Sequence, residues 1–157
     1  MLKKILIVML CLVASISTQA VLANNHVMIS DAWIADAPPV AKIRAGYLKL
    51  HNMGTHTISI KDFSSPAFAR IELHKTVIED GMVKMQEVKQ LSVKPGEQIE
   101  FKPGGYHLML FTPRQKLQQG DKINLTIRLK DGMTSSFTAT VQKRGDSMQH
   151  DHEHHHH

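Results

Sequence analysis

Short stretches in which apolar and polar residues alternate recur along most of this 157-residue chain. A period of two is typical of β-strands with one buried face, whereas helical patterns repeat about every 3.6 residues. The clearest stretches are residues 57–61, 70–74, 106–110, 123–130 and 136–141. No long amphipathic helical pattern interrupts them. This feature predicts an all-β protein.

Turn-forming residues separate the alternating stretches, as expected if each stretch is one strand. These turn signals are Asn52-Met53-Gly54, Glu79-Asp80-Gly81, Lys94-Pro95-Gly96, Lys102-Pro103-Gly104-Gly105 and Lys130-Asp131-Gly132. Seven to eight short strands at this spacing predict an antiparallel β-sandwich or a small barrel.

The first 23 residues have the pattern of a secretory signal. Lys3 and Lys4 precede a mostly apolar run, and Val21-Leu22-Ala23 offers a small-residue cleavage site. Cleavage after Ala20 is the alternative. The apolar run is too short for a comfortable membrane span. We therefore expect residues 1–23 to be removed, no membrane span in the mature chain, and a periplasmic location.

Removing the signal would also remove the single cysteine, Cys11. The mature chain then has no disulfide and no thiolate ligand. Its formal charge falls from +5 to +3, because Lys3 and Lys4 leave and no acid does. This mild, scattered excess gives no indication of a nucleic-acid partner. We expect one domain over residues 24–145, monomeric when free, and a flexible His-rich tail over residues 146–157.

Four residues form a candidate metal site with the spacing His-x10-Met-x21-His-x-Met. They are His74, Met85, His107 and Met109, and we call them the core ligand set. Imidazole and thioether are uncharged, borderline-to-soft ligands, and such a set favours Cu(I) over hard ions such as Mg²⁺ or Ca²⁺. The set offers zinc no thiolate or carboxylate. It therefore predicts copper before any other metal.

Strand alternation predicts which way these side chains face. In residues 106–110 the leucines form the core side, so His107 and Met109 share the opposite face. A four-residue loop at residues 78–81 would set His74 directly across from Met85, with Cβ atoms about 4.5–5.5 Å apart. The site should then be shallow, on an outer face or rim. Without a thiolate, such a site fits metal transfer better than electron transfer.

The chain resembles the PCuAC-type periplasmic copper chaperones, whose signature has the spacing of the core ligand set. Three segments carry the resemblance, which extends from about Ile29 to Val141: residues 71–74, 80–85 and 103–110. The resemblance implies a cupredoxin-like Greek-key β-sandwich in which the core ligand set binds Cu(I). It also implies delivery of the copper to cytochrome c oxidase at its CuA site, or to assembly factors that supply this site.

Both ends suggest additional Cu(II) sites. The tail contains six of the 11 histidines: His150, His152, His154, His155, His156 and His157. Imidazoles on a flexible chain suit Cu(II), Zn²⁺ and Ni²⁺, although a purification tag would have a similar terminal run. If cleavage follows Ala23, the mature chain starts Asn24-Asn25-His26. Its amine, two backbone amides and the His26 imidazole would form a square-planar nitrogen set.

Two other functions remain open besides a chaperone without catalytic turnover. One is a periplasmic copper buffer or resistance protein that relies on the tail. The other is a copper oxidoreductase, of which mononuclear forms often use an N-terminal histidine as a ligand. His26 would be third after cleavage at Ala23 and sixth after cleavage at Ala20, never first. The chaperone is therefore the leading hypothesis.

Overall fold

The computed structural model describes residues 27–143 and Gly145. The described part contains ten strands and no helix: β1 (Val27–Ala35), β2 (Ile43–Asn52), β3 (Ile58–Ser64), β4 (Phe68–Glu79), β5 (Met82–Glu87), β6 (Leu91–Val93), β7 (Gln98–Phe101), β8 (Tyr106–Pro113), β9 (Lys122–Leu129) and β10 (Thr134–Gln142). The all-β class is confirmed. The two shortest strands, β6 and β7, contain too few residues to show alternation, which explains why the sequence predicted fewer strands.

The strands follow one another in space in the order β5-β4-β8-β7-β2-β1-β10-β9-β3-β6. Additional pairing of β4 with β3 and of β8 with β2 closes a circuit, with β5 and β6 at the two ends of the order. Most neighbours are antiparallel, as predicted. The exceptions are β1 with β10 and β7 with β8, which are parallel. Within the described residues, no helix is long and apolar enough to cross a membrane.

The inner faces of the strands bury one apolar core. Its most enclosed side chains include Ile34, Leu50, Leu108, Leu110 and Ile127. Leu108 and Leu110 are the core-facing residues of β8, so the residues between and beside them face outward, as the alternation predicted. Trp33, Ala35 and Tyr47 form a second, smaller apolar cluster. Burial of the two leucines anchors the strand that carries two of the candidate ligands.

Strands β4 and β5 form a hairpin whose turn differs from the predicted one. Glu79 pairs with Met82, so the loop is the two-residue turn Asp80-Gly81 and not residues 78–81. Both turn residues have positive φ, 52° and 73°. Turns of this kind match the right-handed twist of the flanking strands, and Asp-Gly favours them. The predicted pairing of His74 with Met85 is therefore wrong: His74 pairs with Glu87, and Met85 pairs with Thr76.

Candidate metal site

The two histidines of the core ligand set lie side by side on adjacent strands. His74 of β4 pairs directly with His107 of β8, and their ring centroids are 6.0 Å apart. Opposed residues of an antiparallel pair have side chains on the same face of the sheet. Both imidazoles therefore project from the outer face, opposite the core leucines, as predicted.

Each imidazole makes a hydrogen bond through one of its two ring nitrogens. His74 Nε2 donates a hydrogen bond to Glu72 Oε2 at 3.0 Å, and His107 Nδ1 donates to the Gly105 carbonyl at 3.1 Å. We assign the protons from these partners, because a carboxylate and a carbonyl only accept. The other two nitrogens, His74 Nδ1 and His107 Nε2, are buried without a hydrogen-bond partner among the described residues.

Buried polar atoms are normally satisfied, and an unpaired one calls for an explanation. Two unpaired imidazole nitrogens on adjacent strands are what a metal site provides before the metal enters. In such sites the second ring nitrogen usually donates to a carboxylate or a carbonyl, which fixes the orientation of the ligand. Glu72 and Gly105 supply these two kinds of partner here.

Met109 is next to the histidines on the same outer face. It is half-buried and pairs with Glu72 on one side and with Ala45 on the other. Ala45 in turn packs against the cluster that contains Trp33 and Tyr47. The thioether of Met109 therefore comes from a strand that is flanked on both sides.

Met85 belongs to the same face but has a different environment. It is 61% exposed, on an edge strand in which every side chain is exposed. Since Met85 pairs with Thr76, it is the diagonal neighbour of His74. Diagonal positions are about 7–8 Å apart, still within reach of a long side chain. The corrected register thus keeps Met85 near His74 and makes it the most loosely held of the four.

The expectation of a shallow site needs a second correction. His107 is only 4% exposed, and the side chain of His74 is 15% exposed. Strand β8 pairs with β4 on one side and with β2 and β7 on the other, so His107 belongs to an interior strand. The burial of the four side chains therefore decreases across the site, from the buried His107 to the exposed Met85.

The other methionine of β5, Met82, is not part of this arrangement. Met82 alternates with Met85 on β5, so it faces the other side of the hairpin, and it is 58% exposed rather than packed. Within residues 27–143 and Gly145, no three His, Cys, Asp or Glu side chains cluster closely enough to hold a metal ion. A four-ligand site built on the two histidines would therefore have to include the thioethers of Met85 and Met109. The candidate Cu(II) ligands lie outside the described residues: His26, His150, His152, His154, His155, His156 and His157.

Sequence reasoning assigned no role to Glu72 or Gly105. Alternation already indicated that Glu72 shares a face with His74, two residues away. That signal could have identified a carboxylate partner for the imidazole. The Gly105 carbonyl had no comparable signal, because a backbone acceptor does not depend on residue type.

The sequence and the fold resemble those of known proteins. A family model described as "Putative lipoprotein LpqE-like" matches residues 27–141. The chain is also 33% identical over 119 residues to "Putative lipoprotein Lxx21020" of Leifsonia xyli subsp. xyli, covering 75% of this chain and 70% of that protein. It is 32% identical over 88 residues to "Uncharacterized protein RP573" of Rickettsia prowazekii, or 55% of this chain and 49% of that protein.

Solved structures of the PCuAC type share the fold of this chain. The copper-bound PCuAC domain from PmoF2 aligns with a TM-score of 0.63 at 14% identity, over 75% of this chain and 93% of that domain. The Cu(I) form of DR1885 from Deinococcus radiodurans aligns with a TM-score of 0.59 at 28% identity, over 71% of this chain and 75% of that one. The expected cupredoxin-like β-fold of the PCuAC type is confirmed. The chain belongs to the LpqE-like family.

Proposed function

We propose that this protein is a periplasmic copper chaperone that holds Cu(I) with the core ligand set and passes it on without catalytic turnover. One observation carries the proposal. Two buried imidazole nitrogens, neither with a hydrogen-bond partner in the described part of the chain, lie on one outer face, with two methionines on neighbouring positions of that face.

The chemistry of the ligands favours Cu(I) as the cargo. Thioethers are soft ligands that bind Cu(I) well and bind Mg²⁺, Ca²⁺ and Zn²⁺ poorly. A copper site for electron transfer normally includes a cysteine thiolate, and residues 27–143 contain no cysteine. The structural relatives support copper as the cargo, since the PCuAC domain from PmoF2 is copper-bound and DR1885 has a Cu(I) form.

The graded burial of the site suggests how copper leaves it. A thioether on an exposed edge strand can be displaced by a ligand of the acceptor, while the buried His107 still holds the ion. The acceptor would then approach from the side of the β4–β5 hairpin. From the family resemblance we propose that this acceptor belongs to the respiratory oxidase, at its CuA site, or to the factors that assemble it.

The signal segment and the two ends complete the proposal. Residues 1–23 would direct export, and the histidines of the tail and His26 would bind Cu(II) independently of the core ligand set. These roles rest on the sequence alone.

An anaerobic Cu(I) titration against a chromophoric chelator tests the proposal. We expect a variant that ends at Gly145 to bind one Cu(I) per chain as tightly as the full mature chain, because it keeps every described strand and the whole core ligand set. The full chain should bind additional Cu(II) that the shortened variant does not. Loss of Cu(I) binding on removal of the tail would favour a copper buffer instead.

A further inference from the structure

We infer that the two histidines bind copper through different ring nitrogens, His74 through Nδ1 and His107 through Nε2. We further infer that Glu72 is the positioning residue that presents the His74 nitrogen. This inference rests on the proposed function, since it concerns how the same site holds its metal.

A neutral imidazole has one N–H group and one nitrogen with a lone pair, and only the second can bind a metal. The carboxylate oxygen of Glu72 has no proton to give, so the hydrogen bond at 3.0 Å requires the proton on His74 Nε2. The lone pair is then on Nδ1, the atom that is buried and has no partner within residues 27–143. Glu72 thus determines which atom of His74 is available.

His107 has the opposite arrangement. The Gly105 carbonyl accepts from His107 Nδ1, which leaves the lone pair on the buried Nε2. The same carbonyl also accepts a hydrogen bond from the Thr76 backbone N–H at 3.1 Å, so strand β4 fixes its direction. Free neutral histidine prefers its proton on Nε2. His107 is therefore held in its less common form.

The other carboxylate oxygen of Glu72 also has a partner. Arg70 Nε donates to Glu72 Oε1 at 3.1 Å, and the guanidinium carbon of Arg70 is 4.3 Å from the centroid of the Phe111 ring. The two carboxylate oxygens thus have separate partners, Arg70 and His74. Arg70 is mostly exposed, so its ion pair adds little stability, but it fixes the rotation of the carboxylate.

This arrangement makes Glu72→Gln an informative change. A glutamine side chain has one oxygen and one NH₂ group, so it cannot accept from both Arg70 and His74. With its oxygen toward Arg70, its NH₂ group faces His74 Nε2 and favours the form with the proton on Nδ1. That form has no lone pair on the nitrogen proposed to bind copper.

Long-range ¹H–¹⁵N correlation spectra of the full mature chain test the inference. At pH 8, without metal, we expect the proton on Nε2 in His74 and on Nδ1 in His107. One equivalent of Cu(I), which is diamagnetic, should then shift Nδ1 of His74 and Nε2 of His107. Shifts at the opposite nitrogens would overturn this inference and leave the proposed function standing. No shift in either ring would contradict the proposed function itself.

The Glu72→Gln variant tests the positioning role separately. We expect the His74 proton to move toward Nδ1, the His107 spectrum to stay unchanged, and the Cu(I) dissociation constant to rise by about 10–100-fold. Glu87→Gln is the matched control, because Glu87 pairs with His74 across the hairpin, whereas the carboxylate bonded to the His74 ring is that of Glu72. Unchanged tautomer and affinity in Glu72→Gln would reject the role of Glu72.

Discussion

Replacing His107 with leucine is expected to raise the Cu(I) dissociation constant by more than about 100-fold, since loss of a ligand should exceed the 10–100-fold cost of losing an outer partner. His107 is the most buried member of the core ligand set, and its ring is already ordered by the Gly105 carbonyl. We therefore expect it to bind copper without a large entropic cost. Competition with a chromophoric Cu(I) chelator measures the change.

Leucine suits this test because it keeps a buried apolar side chain on β8. The Gly105 carbonyl retains its hydrogen bond from the Thr76 backbone, so the acceptor that His107 leaves behind stays paired. His51→Leu is the control: His51 is a half-buried strand histidine that pairs with Met28 and Gln98, away from the core ligand set. Native Cu(I) affinity in His107→Leu would show that the metal binds elsewhere.

Replacing the two methionines with leucine is expected to have unequal effects. Ordering a free methionine side chain costs up to about 2 kcal/mol, and each 1.4 kcal/mol corresponds to roughly tenfold in affinity. Met85 is 61% exposed and must be ordered when copper binds, whereas Met109 is half-buried beforehand. Met109→Leu should therefore raise the Cu(I) dissociation constant roughly tenfold more than Met85→Leu does.

The same hairpin provides a control for Met85. Met82 is similarly exposed and only three residues away, but it faces the opposite side. Met82→Leu should leave Cu(I) affinity and the rate of transfer to a chelator unchanged, while Met85→Leu should speed the transfer. Equal effects of the two substitutions would contradict the face assignment of the hairpin.

Alternation allowed the sequence to predict which residues share a face. A strand places successive side chains on opposite sides, so the leucines of 106–110 sufficed to direct His107 and Met109 outward. The same rule grouped Glu72 with His74. These predictions depend only on local geometry, and the structure confirms them.

Register and burial could not be predicted in the same way. Whether the turn after β4 contains two residues or four, Met85 lies on the same face of the hairpin, but its partner on β4 changes. Only the Asp80-Gly81 sequence favours the two-residue turn. Burial of His107 depends on which strands flank β8. That arrangement is non-local, since β2 and β4 come from distant parts of the chain. A pattern read along one strand therefore suggested a shallower site than the fold creates.

X-ray absorption of the variant that ends at Gly145, loaded with one equivalent of Cu(I), tests the central claim most directly. That variant lacks the tail histidines, and the nitrogen set proposed at His26 suits Cu(II), so the Cu(I) signal reports the core ligand set. We predict two nitrogen and two sulfur scatterers, from His74, His107, Met85 and Met109. A shell of nitrogen and oxygen without sulfur would contradict the account.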